Sequence, residues 1–209
     1  MRDGPPHPTP GERLADRLRS QIADERVLAA IAAVPRERFV PPELARDAYR
    51  NGPLPIGAGQ TISQPLVVAH MCELLALDGT ERVLDVGAGS GYHAAVLARL
   101  ARWVWSIERI AELAEQARAN LEAAGVATVT VAVGDGARGL PEEAPFDAIN
   151  VAAAARQVPP ALEEQLAPGG RLVAPVGKGG NQRLVVERRG PEGIERQVLS
   201  PVRFVPLVG

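Results

Sequence analysis

The run Val83-Leu-Asp-Val-Gly-Ala-Gly-Ser-Gly91 limits the possible folds of this chain more than any other stretch. Val83–Val86 reads as a buried strand, the alternate glycines as a tight turn, and residues 91–101 as a helix. A strand that runs through glycines straight into a helix is the start of a βα unit. The alternation then continues, with strands expected over 104–107, 128–133 and 146–151 and helices over 110–124 and 160–166. Gly125 ends the first of these helices and Pro168-Gly-Gly170 the second. Further strands are expected over 172–176, 184–187 and about 198–205. Short apolar strands alternating with helices predict an α/β, doubly wound, mostly parallel sheet covered on both faces.

Upstream the texture differs. Residues 1–11 are polar and Pro-rich and read as a disordered leader, leaving 12–209 as a single domain. Within it, residues 12–78 form an N-terminal helical extension with a loop, and 79–209 the sheet. Leu14, Leu18 and Ile22 recur at helical spacing, and Asp24 caps a second helix carrying Val27, Leu28, Ile31 and Val34. A short helix is expected over 43–49, an irregular Gly- and Pro-rich loop over 51–63, and a helix from Pro65 to about Leu77.

Composition excludes several classes. With 46% apolar residues and a formal net charge of -2, the chain has no basic field for nucleic acid. The lone cysteine, Cys72, rules out an internal disulfide and a cysteine-built zinc site. No basic start precedes an apolar run, and no segment reaches the length of a membrane span. A cytoplasmic monomer with no membrane partner is expected.

The glycine spacing carries chemistry. A dinucleotide fingerprint places its third glycine five positions after the first, where this chain has Tyr92. The pattern at 87, 89 and 91 is instead similar to that of class I methyltransferases, which bind a sulfonium nucleoside. Glu108 ends the second strand of the alternation, at the separation where an acid meets ribose hydroxyls, and Asp135 in Gly134-Asp-Gly136 ends the third. Loops at the carboxyl ends of neighbouring strands converge on one crevice, so these three features form a constellation.

Leu54-Pro-Ile-Gly-Ala-Gly-Gln-Thr-Ile-Ser-Gln-Pro65 is more specific. It resembles the signature loop of the protein-L-isoaspartate O-methyltransferase family. Val34-Pro-Arg-Glu-Arg-Phe-Val40, Phe146-Asp-Ala-Ile149, Pro175-Val-Gly177 and Arg203-Phe-Val-Pro-Leu207 agree with it, so the resemblance spans about residues 12–208. It implies a fold of the class I type, S-adenosylmethionine as cofactor, and isoaspartyl proteins or peptides as substrates. It further implies Ser63 as the active-site serine, with Gln60, Thr61 and Ile62 lining the cofactor and substrate pocket. Gly87, Gly89 and Gly91 would border the methionine moiety, Glu108 the ribose, and Asp135 with Gly136 the adenine. Val205, Pro206 and Leu207 would lie beside the peptide. Asp85 ranks below Glu108 as a cofactor contact. The chain departs from the family pattern at Ala58, at His93 and over Asn150–Arg156.

The implied reaction suits these residues. An α-carboxyl with a reference pKa of about 3.3–3.7 is already ionised at neutral pH, so no general base is needed. Ser63 then orients the carboxylate as a hydrogen-bond donor, although on the residues alone it reads as the N-cap of the helix that Pro65 opens. His70 reads as a partly buried structural residue, and His93 as either a cofactor contact or a surface residue. Trp103 and Trp105 read as packing residues, and Arg17, Arg19, Arg36 and Arg38 as solvated charges. One alternative is a relative that methylates normal aspartate in a dedicated peptide, though the chain ends just after the Phe-Val-Pro-Leu strand without a substrate-recruiting domain. A nicotinamide dehydrogenase or a non-catalytic nucleotide-binding module is the other.

Overall fold

The computed structural model describes residues 7–208. Of the leader expected over 1–11, residues 1–6 lie outside the described residues, while Pro10 and Gly11 are already helical. Helix α1 (Pro10–Leu18) begins at a reciprocal cap: the Thr9 hydroxyl accepts from the Glu12 N–H, and the Glu12 carboxylate accepts from the Thr9 N–H. Helix α2 (Glu25–Ala33) is capped by Asp24, whose carboxylate accepts from the Arg26 and Val27 N–H groups. Two 3-10 turns follow, Arg36–Phe39 and Pro42–Asp47, in place of the short helix expected over 43–49.

The stretch expected to be irregular is an antiparallel hairpin, β1 (Leu54–Gly57) and β2 (Gln60–Ile62), with Leu54 opposite Ile62. Its turn needs three successive left-handed residues, Gly57, Ala58 and Gly59, at φ 94, 49 and 69. Glycine reaches such values without steric cost, and Ala58 is the one residue that carries a Cβ there. Helix α3 (Pro65–Leu75) follows, with Gln64 rather than Ser63 as its N-cap and no side-chain capping bond.

The remaining elements are β3 (Arg82–Val86), α4 (Tyr92–Leu97), β4 (Trp103–Glu108), α5 (Ala111–Ala123), β5 (Val129–Val133), β6 (Phe146–Val151), α6 (Pro160–Gln165), β7 (Leu166–Lys178), β8 (Asn181–Gly190) and β9 (Gly193–Val202). They form a seven-stranded sheet in the order β5-β4-β3-β6-β7-β8-β9, parallel from β5 to β7 and antiparallel beyond. The expected α/β class, mostly parallel and doubly wound, is what folds. Pro168-Gly-Gly170 does not close α6; it lies inside β7, where the pairing with β6 shifts register between Phe146 and Ala148.

Alternate strand residues serve two cores. Val83, Val104 and Ala148 pack with α1 to α5, whereas Leu84, Val86, Ile107 and Ile149 pack with Leu162 of α6. The period of two thus buries both faces. Trp103 and Trp105 pack side by side, and Trp105 meets Phe146 edge-on. Among the described residues no helix is long and apolar enough to cross a membrane.

Candidate active site

Strand order reverses at β3, whose neighbours are β4 on one side and β6 on the other. At such a point the connections leave in opposite directions and open a crevice beyond the carboxyl ends of the strands. A cavity of about 250 Å³ lies there, lined by Gln60 and Thr61 from β2, Gly87 and Gly89 after β3, Glu108 at the end of β4, Gly136 after β5, and Val205, Pro206 and Leu207. These residues, singled out from sequence in five separate segments, come together. Val86, Ile107, Arg109, Ile110 and Ala152 also line the cavity and were not anticipated. Arg109 and Ile107 flank Glu108 at a strand end, which is the signal that would have found them.

Ile62, Asp85, Gly91 and Asp135 do not line this cavity. Ile62 is in the core at 4% exposure. Gly91, at φ 88, begins α4, and a Cβ there would lie 3.2 Å from the Ala117 carbonyl oxygen on α5, so close helix packing explains this glycine. Asp135 accepts from the Ala137 N–H at 2.9 Å and holds the turn after β5. Asp85 is fully buried below the loop.

The glycine loop has few amides to spare. The N–H groups of Gly87 and Ala88 donate to the Ile107 carbonyl, that of Gly91 to the Ala88 carbonyl, and that of Gly89 to the Glu108 carboxylate at 2.9 Å. A pyrophosphate cradle needs such groups free. The loop is built for a ligand without one. Glu108 also accepts from the Ile110 N–H at 3.0 Å, so its carboxylate spans from the glycine loop to the start of α5.

A second cavity of about 740 Å³ adjoins the first and shares Thr61, Ala152, Val205 and Pro206 with it. Ser63, Gln64, Val67, Gln182 and Phe204 line the far side. Because Gln64 takes the capping position of α3, the Ser63 hydroxyl is not held as a cap. A small void of about 40 Å³ between the two touches Ser63, Gly89, Tyr92 and His93.

Beneath this arrangement lies a buried polar chain. Asp85 accepts from the Ser106 hydroxyl at 2.8 Å and from Asn150 Nδ2 at 2.7 Å. Asn150 Nδ2 is also 3.2 Å from His93 Nδ1, and His93 Nε2 is 3.6 Å from Cys72 Sγ. His93 is therefore neither a surface residue nor exposed to the large cavities; it is 7% exposed and belongs to this chain. Two departures from the family pattern, His93 and Asn150, thus touch one another.

Burial raises the Asp85 carboxyl to about 6, against the pull of its bonds from Asn150 and Ser106, and the Glu108 charge adds to the rise. Burial lowers His93 to about 3. The two linkages oppose each other. His93, neutral when folded, loses stability as pH falls below the unfolded value of about 6.5, because the unfolded chain takes up the proton. Asp85, raised when folded, regains stability as pH falls from about 6 towards the unfolded value near 4, because the folded chain takes up the proton first. Asp85→Asn keeps the hydrogen-bonding shape and removes only the second effect. Its unfolding free energy is expected to drop, between pH 6 and pH 4, by on the order of 3 kcal/mol more than the unsubstituted chain's. Urea titrations across that range measure this, and parallel profiles would refute it.

Comparison with known proteins comes to the same place. The family model described as protein-L-isoaspartate(D-aspartate) O-methyltransferase matches residues 11–209. A protein-L-isoaspartate O-methyltransferase from Anaeromyxobacter dehalogenans (strain 2CP-C) is 59% identical over 189 residues, covering 89% of this chain and 90% of the relative. A solved protein-L-isoaspartate O-methyltransferase superposes with a TM-score of 0.85 at 29% identity, covering 95% of this chain and 66% of that one. A Plasmodium falciparum structure described as a β-aspartate methyltransferase of this type, in complex with S-adenosyl-L-homocysteine, superposes with a TM-score of 0.82 at 26% identity, covering 95% and 98%.

Proposed function

The chain belongs to the protein-L-isoaspartate (D-aspartate) O-methyltransferase family, and from that premise we infer how its residues perform the esterification of isoaspartyl sites. It is an S-adenosylmethionine-dependent methyltransferase that esterifies the free α-carboxylate of L-isoaspartyl residues in damaged proteins, which starts their repair. The observation that carries the assignment of roles is the shared wall of two cavities, Thr61, Ala152, Val205 and Pro206, with a donor crevice on one side and Ser63 on the other.

The crevice suits the cofactor chemically. Glu108 offers carboxylate lone pairs to vicinal hydroxyls, and Val86, Ile107 and Leu207 give apolar surface to a flat base. Gly136 leaves the room such a base needs, since a Cβ there would lie 2.6 Å from Val86 Cγ1 and 3.4 Å from Leu207 Cδ1. When bound, S-adenosylmethionine supplies an electrophilic sulfonium methyl. Gln60 and Thr61 close over the crevice from β2, and Gly87 and Gly89 border its floor. Asp85, ionised above about pH 6, places a negative charge below a cationic ligand without touching it.

On the acceptor side, Ser63 donates a hydrogen bond to one carboxylate oxygen and leaves the other to attack in line. Val205 and Pro206, on the wall shared by the two cavities, hold the peptide along the C-terminal segment, while Leu207, expected beside the peptide, lines the donor crevice alone. Such positioning supplies roughly 7–11 kcal/mol when the near-attack geometry is good. The neighbouring backbone nitrogen then attacks the ester, methanol leaves, and the succinimide hydrolyses in part to normal aspartate. A monomer confined to the cytoplasm fits this role.

Ser63→Ala tests the assignment. Turnover of an isoaspartyl peptide is expected to fall about tenfold or more, by the value of a hydrogen bond to a charged group, with S-adenosylhomocysteine affinity unchanged. A large loss of cofactor affinity would mean that Ser63 belongs to the donor crevice instead.

A further inference from the structure

Arg36 departs furthest from what its sequence suggests. Read there as a solvated charge, it has 0% exposure. Its Nε donates to the Ala48 carbonyl at 2.8 Å and its Nη2 to the Ser63 carbonyl at 2.9 Å. The guanidinium carbon lies 4.6 Å from the centre of the Tyr92 ring, and Phe39 packs against that ring edge-on at 5.7 Å. Nη1 is buried without a hydrogen-bond partner among the described residues, and no carboxylate there pairs with the group. A buried cation without a counter-ion is costly, and stability alone would favour an apolar replacement.

What the side chain joins explains its presence. Ser63 lies between β2 and the Gln64 cap of α3 and faces the acceptor cavity. Tyr92 is the first residue of α4, directly behind the glycine loop. Both also border the small void between donor and acceptor sides. The planar fork of arginine reaches two carbonyls while its face rests on an aromatic ring, which lysine cannot reproduce.

We propose that Arg36 is a positioning residue for methyl transfer: it fixes the Ser63 backbone against the helix behind the glycine loop, so that the serine hydroxyl meets the acceptor carboxylate at the correct distance from the donor. This rests on the role assigned to Ser63 above. A displacement of about 1 Å at a reacting group is enough to cost a large factor in rate.

A double-mutant cycle separates this role from simple support of the fold. Arg36→Lys keeps the charge and loses the fork, Arg36→Met loses both, and each is made alone and together with Ser63→Ala. Rates with an isoaspartyl peptide are counted per S-adenosylhomocysteine-binding site, so partial unfolding does not imitate a catalytic loss. In the otherwise native chain, Arg36→Lys is expected to lower kcat/KM about tenfold with cofactor affinity within about twofold. In the Ser63→Ala background the same change is expected to cost less than about twofold, because the group it positions is gone. Should Arg36→Met give no folded protein, Arg36→Lys alone completes the cycle. An equal loss in both backgrounds overturns the proposal, as does a loss of cofactor affinity that accounts for the fall in rate. If the native chain methylates no isoaspartyl peptide, the role of Ser63 fails first and this proposal fails with it. Activity with additive losses defeats this proposal alone.

Discussion

Replacing Glu108 with alanine is expected to weaken binding of S-adenosylmethionine about a hundredfold, the value of roughly two hydrogen bonds to a charged group. The carboxylate holds the donor crevice from both ends. It accepts from the Gly89 N–H at 2.9 Å and from the Ile110 N–H at 3.0 Å, and at 8% exposure it is shielded from competing water. Each oxygen keeps a further lone pair for a hydroxyl of the ligand. Alanine removes these contacts and also frees the Gly89 amide, so the glycine loop keeps its Gly87 and Ala88 bonds to the Ile107 carbonyl of β4 but loses the one at its tip. Glu108→Gln retains one acceptor oxygen and turns an amide donor towards a backbone donor, and about a tenfold loss is expected. Calorimetric titration with S-adenosylhomocysteine measures both, with circular dichroism as the check on folding. Unchanged affinity in the alanine variant would remove Glu108 from the site.

Asn150→Leu is expected to destabilise the protein by about 3 kcal/mol at pH 7.5, the cost of leaving a buried charge short of a partner. Asp85 has 0% exposure and would keep only the Ser106 bond, while His93 would lose its polar neighbour on Nδ1. The effect carries a signature in pH. Losing the Asn150 donor raises the folded pKa of Asp85 above its present value of about 6, and that added rise is the added instability. It is fully present above the new folded pKa and disappears below about pH 6, where Asp85 is protonated in the folded state of both the variant and the unsubstituted chain. At pH 4.5 about 1 kcal/mol should remain, from the neutral hydrogen bond alone. Urea denaturation at the two pH values measures the difference, and an equal loss at both would show that Asp85 is not charged in the folded protein at neutral pH.

Much of the sheet was legible because its signals are local. Val83–Val86 followed by alternate glycines can hardly be anything but a strand and a turn, and Glu108 and Gly136 follow from counting strand ends. The hairpin at Leu54–Ile62 was not legible. Pro55, Gly57 and Gly59 read as loop residues, and the pairing of Leu54 with Ile62 depends on a turn that Ala58 enters at φ 49. Gly91 was assigned to the ligand because it shares the spacing of Gly87 and Gly89, yet its neighbour is Ala117 on another helix. Ser63 lost its capping role because Gln64 takes that position when Pro65 becomes the first helical residue.

The least legible features are those that only tertiary contact creates. Arg36 meets Ala48, Ser63 and Tyr92, and nothing around Pro35-Arg36-Glu37 marks one arginine as buried and its neighbours as exposed. The chain Ser106–Asp85–Asn150–His93 draws one residue from each of four elements; Asp85 stands out by its place before the glycines and His93 and Asn150 as departures from the family pattern, but nothing local pairs them. The strand from Leu166 to Lys178 continues through Pro168-Gly-Gly170, a sequence that locally ends helices, because β6 offers it a shifted register to pair with.

The most direct measurement uses two peptides identical except at one residue, L-isoaspartyl in one and L-aspartyl in the other, incubated with S-adenosylmethionine labelled in the methyl group. From the family to which the chain belongs, label is expected to enter the isoaspartyl peptide alone and to be released as methanol by mild base, as an ester requires. Label entering only the aspartyl peptide, or neither peptide, would contradict that function.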